Sequence, residues 1–333
     1  MATLSTIHPT LTDVTKRLDP DGRVDMIAEI LTETNEILDD MVMMEGNLPT
    51  GHRSTIRTGL PTPTWRKLYG GVQPSKSTTV QITDTTGMLE AYAEVDKVLA
   101  DLNGNTASFR LSEDRAHIDG INQEFSSSLF YASEATAPEE ITGFAPRFNS
   151  LSAENAENIV QESGISGQTD CSSIWLVVWG NNTCHGIYPR GTMGGLQVED
   201  KGQVTIENID GSGGRMEAYR THYCWKVGLT VRDWRYVVRV QFDSAALTGD
   251  TSAGANLIDL MTQAVEIPPQ LSAGRAAFYC NRRTKSFLRR QIVEKVSAST
   301  LSMDQIAGKH VMTFDGIPVR RVDSILNTET AVS

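Results

Sequence analysis

Arg53-Ser54-Thr55-Ile56-Arg57-Thr58, Trp65-Arg66-Lys67-Leu68-Tyr69-Gly70-Gly71-Val72 and Thr78-Thr79-Val80-Gln81-Ile82-Thr83 are three pieces of one segment, and its reading decides the fold. The outer pieces are β-branched and polar by turns. The middle is punctuated by Pro61, Pro63, Pro74 and the Gly70-Gly71 pair, with Pro49 just upstream. That pattern predicts two long strands joined by a proline-rich tip. Residues 47–82 carry Arg53, Arg57, Arg66, Lys67 and Lys76 and no acid. Beyond Trp65, Leu68 and Tyr69 there are few large apolar side chains, so the hairpin has no core of its own. A long basic hairpin of this kind is expected to rest on another subunit.

The flanks carry the opposite charge. Residues 1–46 hold ten acidic side chains, among them Asp39 and Asp40, against three basic ones, a net −7. Residues 83–102 hold five acids, including Glu90 and Glu94, against Lys97, a net −4. Within the first flank Val24, Ile27, Leu31, Leu38 and Met41 recur at helical spacing after the turn-forming Asp19-Pro20-Asp21-Gly22, which predicts a helix.

Further along, Ile118, Ile121, Phe125 and Leu129 mark one face of a helix expected over about 112–133, with Ser112 as its N-cap. A short helix is expected over Ala153–Glu162. Ile174-Trp175-Leu176-Val177-Val178-Trp179 is a continuous apolar run and predicts a strand buried on both faces. Extended stretches follow at Gln203–Ile209 and Tyr219–Phe242, with the Gly211-Ser212-Gly213-Gly214 turn between them. Leu257, Leu260, Met261 and Ala264 share a face of a helix over Ala255–Val265 that Pro268-Pro269 stops. Ala276–Cys280 reads as a strand, and Asn281 caps a helix running through Val296. The chain closes on a strand ending at Phe314, a turn at Asp315-Gly316 and a strand from Ile317.

The 333 residues suit two interleaved domains, and 39% hydrophobic with 21% charged residues suits a globular α+β protein. The net charge of −11 argues against a surface that grips nucleic acid through its phosphates. No apolar run is long enough for a membrane helix, and no membrane partner is expected. The start Met1-Ala2-Thr3-Leu4-Ser5 has no charged region followed by an apolar block, so synthesis and folding in cytoplasm are expected. No clear processing signal is visible, which favours an uncleaved N-terminus.

Chemistry-bearing residues are few. Cys171, Cys184, Cys224 and Cys280 are far apart and form no CxxC pair, so buried thiols are expected. Cys184-His185 and His222-x-Cys224 invite a zinc reading. His222 and Cys224 would share a strand face, but adjacent Cys184 and His185 would splay apart, and packed side chains fit better. No cysteine has the elbow motif or third orienting residue of a nucleophile, and the glycine-rich turn lacks the Lys-Ser/Thr of a phosphate loop. No catalytic residue, metal or cofactor is expected. The basic helix with Arg282, Arg283, Lys285, Arg289 and Arg290 reads as a solvated or paired face.

The order of these elements resembles the Hong Kong 97-type capsid fold of tailed-bacteriophage and herpesvirus shells. The strand ending at Cys280, the arginine-rich helix after it and Phe314-Asp315-Gly316-Ile317-Pro318-Val319 look like the axial-domain ending of phage capsid proteins. Trp65-Arg66-Lys67-Leu68-Tyr69-Gly70-Gly71-Val72 looks like the loop of a podovirus-type major capsid family. The resemblance implies an N-terminal arm at 1–46 and an extended hairpin loop at 47–83. It implies a peripheral domain at 84–171 and 203–249 with a spine helix at about 112–133, and an axial domain at 172–202 and 250–333.

It further implies a major capsid protein, not an enzyme, that forms pentamers and hexamers of an icosahedral head around double-stranded DNA. Its partners would be itself, a scaffold, a portal and a cement or decoration protein. It would be assembled in the host cytoplasm and reside in the virion. The candidate inter-subunit contacts are Arg53, Arg57, Trp65, Arg66, Lys67 and Lys76 of the hairpin, Asp39, Asp40, Glu90 and Glu94 of the acidic flanks, and Arg282, Arg283, Arg289 and Arg290 of the basic helix. Two rival readings are a soluble enzyme or ligand-binding domain with a site in 172–242, and an accessory decoration protein.

Overall fold

The computed structural model describes residues 33–102, 106–207, 213–247, 256–294, 301–306 and 309–333. The helix expected around Val24, Ile27 and Leu31 lies outside them. Leu38 falls in a single helical turn, Ile37–Asp40, after which the backbone becomes extended. The described chain forms two compact units: one of Met88–Phe125 and Gly195–Lys226, the other of Asn35–Gly87, Ser126–Gly194 and Val227–Ser333.

The larger unit is built around the continuous apolar run. Strand β5 (Cys171–Trp179) is buried along its whole length. It pairs antiparallel with β9 (Val237–Asp243) on one side and β10 (Arg275–Cys280) on the other. Strand residues alternate between faces, and both faces are covered, so neither parity of the run is polar enough to meet water. Ile174 and Leu176 pack in a cluster with Val238, Val240 and Phe278, joined by helix α2 (Leu257–Glu266) and helix α3 (Arg282–Glu294). Trp175 and Trp179 lie among Phe130, Phe144 and Phe148 instead.

α2 buries Leu257, Leu260, Met261 and Ala264, the face its spacing predicted. α3 begins where Asn281 accepts a hydrogen bond from the Thr284 amide at 2.8 Å, as an N-cap should. Beyond it β12 (Lys309–Phe314) turns into β13 (Ile317–Arg321), with Phe314 opposite Ile317. Asp315 and Gly316 both have positive φ, 49° and 75°, as a two-residue hairpin turn requires. β13 then runs parallel to β10.

In the smaller unit β7 (Gln197–Glu207) pairs antiparallel with β8 (Arg215–Val231), whose last residues continue into the larger unit and pair with β6 (Cys184–Tyr188). Helix α1 (Thr106–Tyr131) starts six residues before the expected Ser112, which lies inside it. The extra turns are held by Phe109, buried with Val95 and Ala100. Ile121 packs with Ala93 and Tyr223, whereas Ile118, assigned to the same face, is 40% exposed.

Two further expectations are corrected. Ala153–Glu162 is not a helix: a short 3-10 turn at Ala156–Asn158 leads into β4 (Ile159–Gln161), because Ile159 and Val160 pair with Arg239 and Val240 of β9. The stretch Tyr219–Phe242 is two strands, interrupted at Trp234–Tyr236, where the Asp233 side chain accepts from the Arg235 amide.

Candidate assembly surface

The hairpin forms as its sequence predicts. β2 (Gly51–Gly59) runs antiparallel to β3 (Thr78–Asp96), with Gly51 opposite Thr85, His52 opposite Asp84 and Arg57 opposite Thr79. β3 carries on thirteen residues past Thr83, out of the hairpin and into the smaller unit. The residues between the strands have no regular structure apart from one turn. There the Gly70 amide donates to the Lys67 carbonyl, Tyr69 has φ 64°, and Arg66 Nε donates to the Gly70 carbonyl at 2.9 Å. Trp65 and Tyr69 are fully exposed, and Leu60 and Leu68 are nearly so. Lys67 and Lys76 are exposed too. Large apolar side chains exposed in one segment among cations, and held out on two strands, point to a surface made for a partner.

The base of the hairpin, in contrast, is locked. Asp84 is buried and paired with Arg147 at 2.8 Å, and Arg147 also donates to the Thr142 and Leu229 carbonyls. Ser54 is buried beside it. The His52 ring lies 5.8 Å from that of the buried His185, edge to face. Burial, reinforced by the neighbouring His52, pushes the His185 pKa down to about 4. Burial and nearby Arg232 also lower His52, against the pull of Asp84. At neutral pH the base therefore holds two uncharged imidazoles.

Three of the four acidic candidates, Asp40, Glu90 and Glu94, are engaged within their own chain. Asp40 is buried and holds Arg275 at 2.7 Å, Arg320 at 3.2 Å and the Tyr279 hydroxyl at 3.0 Å. Next to it Glu36 meets Lys285 and Arg320. Asp40 is thus an anchor for residues 35–45, which continue into β1 (Met43–Glu45), paired with β6. Asp39 is exposed. In the smaller unit Glu94 pairs with Arg220 at 2.6 Å. Glu90 accepts from Cys224 and contacts His222 at 3.3 Å, and the thiol bond is the main cause holding its carboxyl below the usual range. On α3, Arg283 and Arg289 are exposed, Arg282 reaches Asp323 at 3.3 Å, and Arg290 lies over the Phe287 ring.

Among the described residues of 171–242, no cysteine is an activated nucleophile. Burial pushes the Cys171 thiol up to about 11, and Cys184 and Cys224 also lie above their ordinary value. Such thiols are poor sources of thiolate. Cys184 and His185 belong to the larger unit, His222 and Cys224 to the smaller. Among the described residues no group of three or more His, Cys, Asp or Glu side chains is arranged to hold a metal. No helix among them is long and apolar enough to cross a membrane.

Sequence reading missed the Arg147–Asp84 lock and the His52–His185 contact. Both join residues more than sixty positions apart, and no periodicity reports such pairs.

A family model described as major capsid protein GP7 matches residues 19–333. Among solved structures, that of bacteriophage Epsilon15 shares 37% sequence identity, with a TM-score of 0.77 over 100% of this chain and 99% of that one. The capsid of the native GTA particle (11% identity, 68% of this chain and 95% of that one) and the bacteriophage JBD30 capsid (10% identity, 89% and 93%) each give a TM-score of 0.46, too low to carry an argument. No curated protein matches the chain.

Proposed function

The chain belongs to the major capsid protein GP7 family and is a structural subunit of a phage capsid, and from that premise we propose how it builds the shell. Copies form pentamers and hexamers of an icosahedral head around double-stranded DNA. The hairpin of one copy lies across its neighbour and carries the contact through Trp65, Leu68 and Tyr69, with Arg53, Arg57, Arg66, Lys67 and Lys76 steering the approach. The observation that carries this reading is the tip itself, which exposes aromatic and aliphatic side chains almost completely and can bury them only against another molecule.

Asp39, Glu90 and the exposed arginines of α3, Arg282, Arg283, Arg289 and Arg290, supply further contacts. Asp40 and Glu94 support the surface from within. The peripheral domain is taken as 84–171 and 203–249, which includes most of the smaller unit, and the axial domain as 172–202 and 250–333. A scaffold, a portal and a cement protein act on the same shell, and assembly takes place in the host cytoplasm. The role is architectural, and no reaction is assigned to it.

Each exposed ion pair contributes only about 0–1 kcal/mol, so the cations guide association and the aromatic tip supplies most of the adhesion. Electron microscopy and sedimentation of the expressed protein, with its scaffold, test the proposal. Closed particles are expected at low salt. Their yield should fall near 1 M salt, where the screening length is about 3 Å. Monomers under every condition would refute it.

A further inference from the structure

Helix α3 turns one face to the outside, and that face is made of arginine. Arg282, Arg283, Ser286, Arg289 and Arg290 are exposed, whereas Thr284, Phe287, Leu288 and Gln291 are buried. The exposed set recurs at i, i+1, i+4, i+7 and i+8, the spacing of one helical stripe. The helix has a single acid, Glu294 at its very end.

The carboxylates beside it do not balance this charge, because each is already shared. Asp323 takes Arg321 and, at 3.3 Å, Arg282. Glu36 takes Lys285 at 3.6 Å and Arg320 at 3.4 Å. Asp40 takes Arg275 and Arg320. Five cations thus divide three acids. Arg283 and Arg289 have no carboxylate partner among the described residues, and Arg290 lies over the Phe287 ring. A chain of net charge −11 has gathered a local excess of positive charge in this one place.

The residue type narrows the partner. Lysine suits a face meant only for water, being a strongly hydrated point charge. Arginine is less hydrated and offers a planar fork that matches phosphate oxygens in pairs. Of the cations in this patch, only Lys285 is not arginine. The pairs Arg282-Arg283 and Arg289-Arg290 stand seven residues apart, about 10 Å along the axis. Duplex DNA carries a charge about every 1.7 Å of its length, so such a span faces several phosphates at once. Ser286 is the one other exposed side chain between them. No exposed amide is there to read base edges, so the contact is blind to sequence.

We infer that the arginine face of α3 grips the phosphate backbone of duplex DNA. The inference rests on the capsid reading, which supplies the DNA, and it names the partner of the α3 contact. The acidic remainder of the chain keeps the grip local.

Anisotropy of a fluorescent duplex of about 20 base pairs and arbitrary sequence, titrated with the unassembled subunit, tests this. Contacts from four arginines predict a slope of about −3 to −4 in log affinity against log salt, or on the order of a hundredfold loss between about 50 and 200 mM. Arg283→Gln with Arg289→Gln removes two exposed side chains. It should leave the thermal midpoint unchanged and make the slope shallower by about two. Lys67→Gln with Lys76→Gln removes the same charge from the hairpin and should leave duplex binding as it was. Equal loss in both pairs, or no binding by the parent, would overturn the inference. In particles, Arg283 and Arg289 should resist phenylglyoxal, an arginine reagent, while DNA is inside and react once it has been released. Protection that persists in emptied shells would assign the face to carboxylates of another copy, overturning the inference and leaving the capsid reading standing. Absence of shells under all conditions would overturn both.

Discussion

Arg239 and Glu329, ninety residues apart in the chain, form a salt bridge at 2.7 Å with both side chains almost fully buried. Each has further partners. Arg239 donates to the Phe148 carbonyl and lies over the Trp175 ring. Glu329 accepts from Ser173 and Tyr131. The bridge fastens residues 322–333 to the central strands. Breaking it from one side leaves a charge stranded in a dry site, so Glu329→Ala should cost about 3–5 kcal/mol of stability by chemical denaturation. Replacing both partners with apolar residues of similar volume should cost far less.

The hairpin tip should behave in the opposite way. Trp65→Ala and Tyr69→Ala remove side chains that touch little of their own subunit, so stability should stay within about 0.5 kcal/mol of the parent. Particle yield should fall. Excision of residues 60–77 with a two-residue turn in their place should leave a folded subunit that makes no shells. Loss of the folded core on that excision would show that the tip is part of the fold.

Acid should weaken the hairpin base. The unfolded His185 titrates near 6.5 and the folded one near 4. Between those values the unfolded chain binds more protons, so this contribution is fully present above about pH 6.5 and lost as the pH falls toward 4. The lowered His52 acts in the same sense. Unfolding free energy measured at pH 7 and pH 4.5 should therefore differ less in His185→Gln than in the parent, by on the order of 2 kcal/mol.

Gly51 should tolerate no side chain. A Cβ there would stand 2.0 Å from the Asp84 carbonyl oxygen, a backbone atom with no freedom to swing aside. Gly51→Ala should part the two strands at their base and cost about 1–3 kcal/mol. Exchange at the His52 and Ser54 amides, which face β3, should rise more than exchange in β5.

Asp40 should hold residues 35–45 in place. Asp40→Asn keeps the shape but removes the charge facing Arg275 and Arg320, and should destabilise by about 1–3 kcal/mol. Limited proteolysis should cut near Glu36 sooner than in the parent.

Much of this architecture is legible in the sequence because it is local. The run Ile174–Trp179 announces a doubly covered strand, α2 displays its face at regular spacing, Asn281 caps the helix it precedes, and Asp315-Gly316 can adopt the backbone its turn needs. Legibility ends where distant partners overrule local preference. Ile159 and Val160 leave a helical-looking stretch because β9 offers them a ladder. α1 begins early because Phe109 has a buried seat beside Val95 and Ala100. In the assembly surface, exposure at the hairpin tip follows from composition. The engagement of Asp40 by Arg275 and Arg320 does not, since both arginines lie more than two hundred residues downstream. The bonds of the Asn47 side chain to both backbone groups of Arg53 likewise depend on the path the chain takes after Leu48.

The pairing of β5 with β9 and β10 also has a consequence in time. Cys171–Trp179, the most apolar stretch of the chain, waits for covers that begin at Val237 and end at Cys280. At roughly 5–20 residues per second on the ribosome, the second cover arrives about 5–20 seconds after the strand is made. Until then Trp175 to Trp179 lack the strand partner that β10 supplies. An uncovered apolar strand of this kind is prone to aggregate, so synthesis at high concentration should favour aggregation over folding.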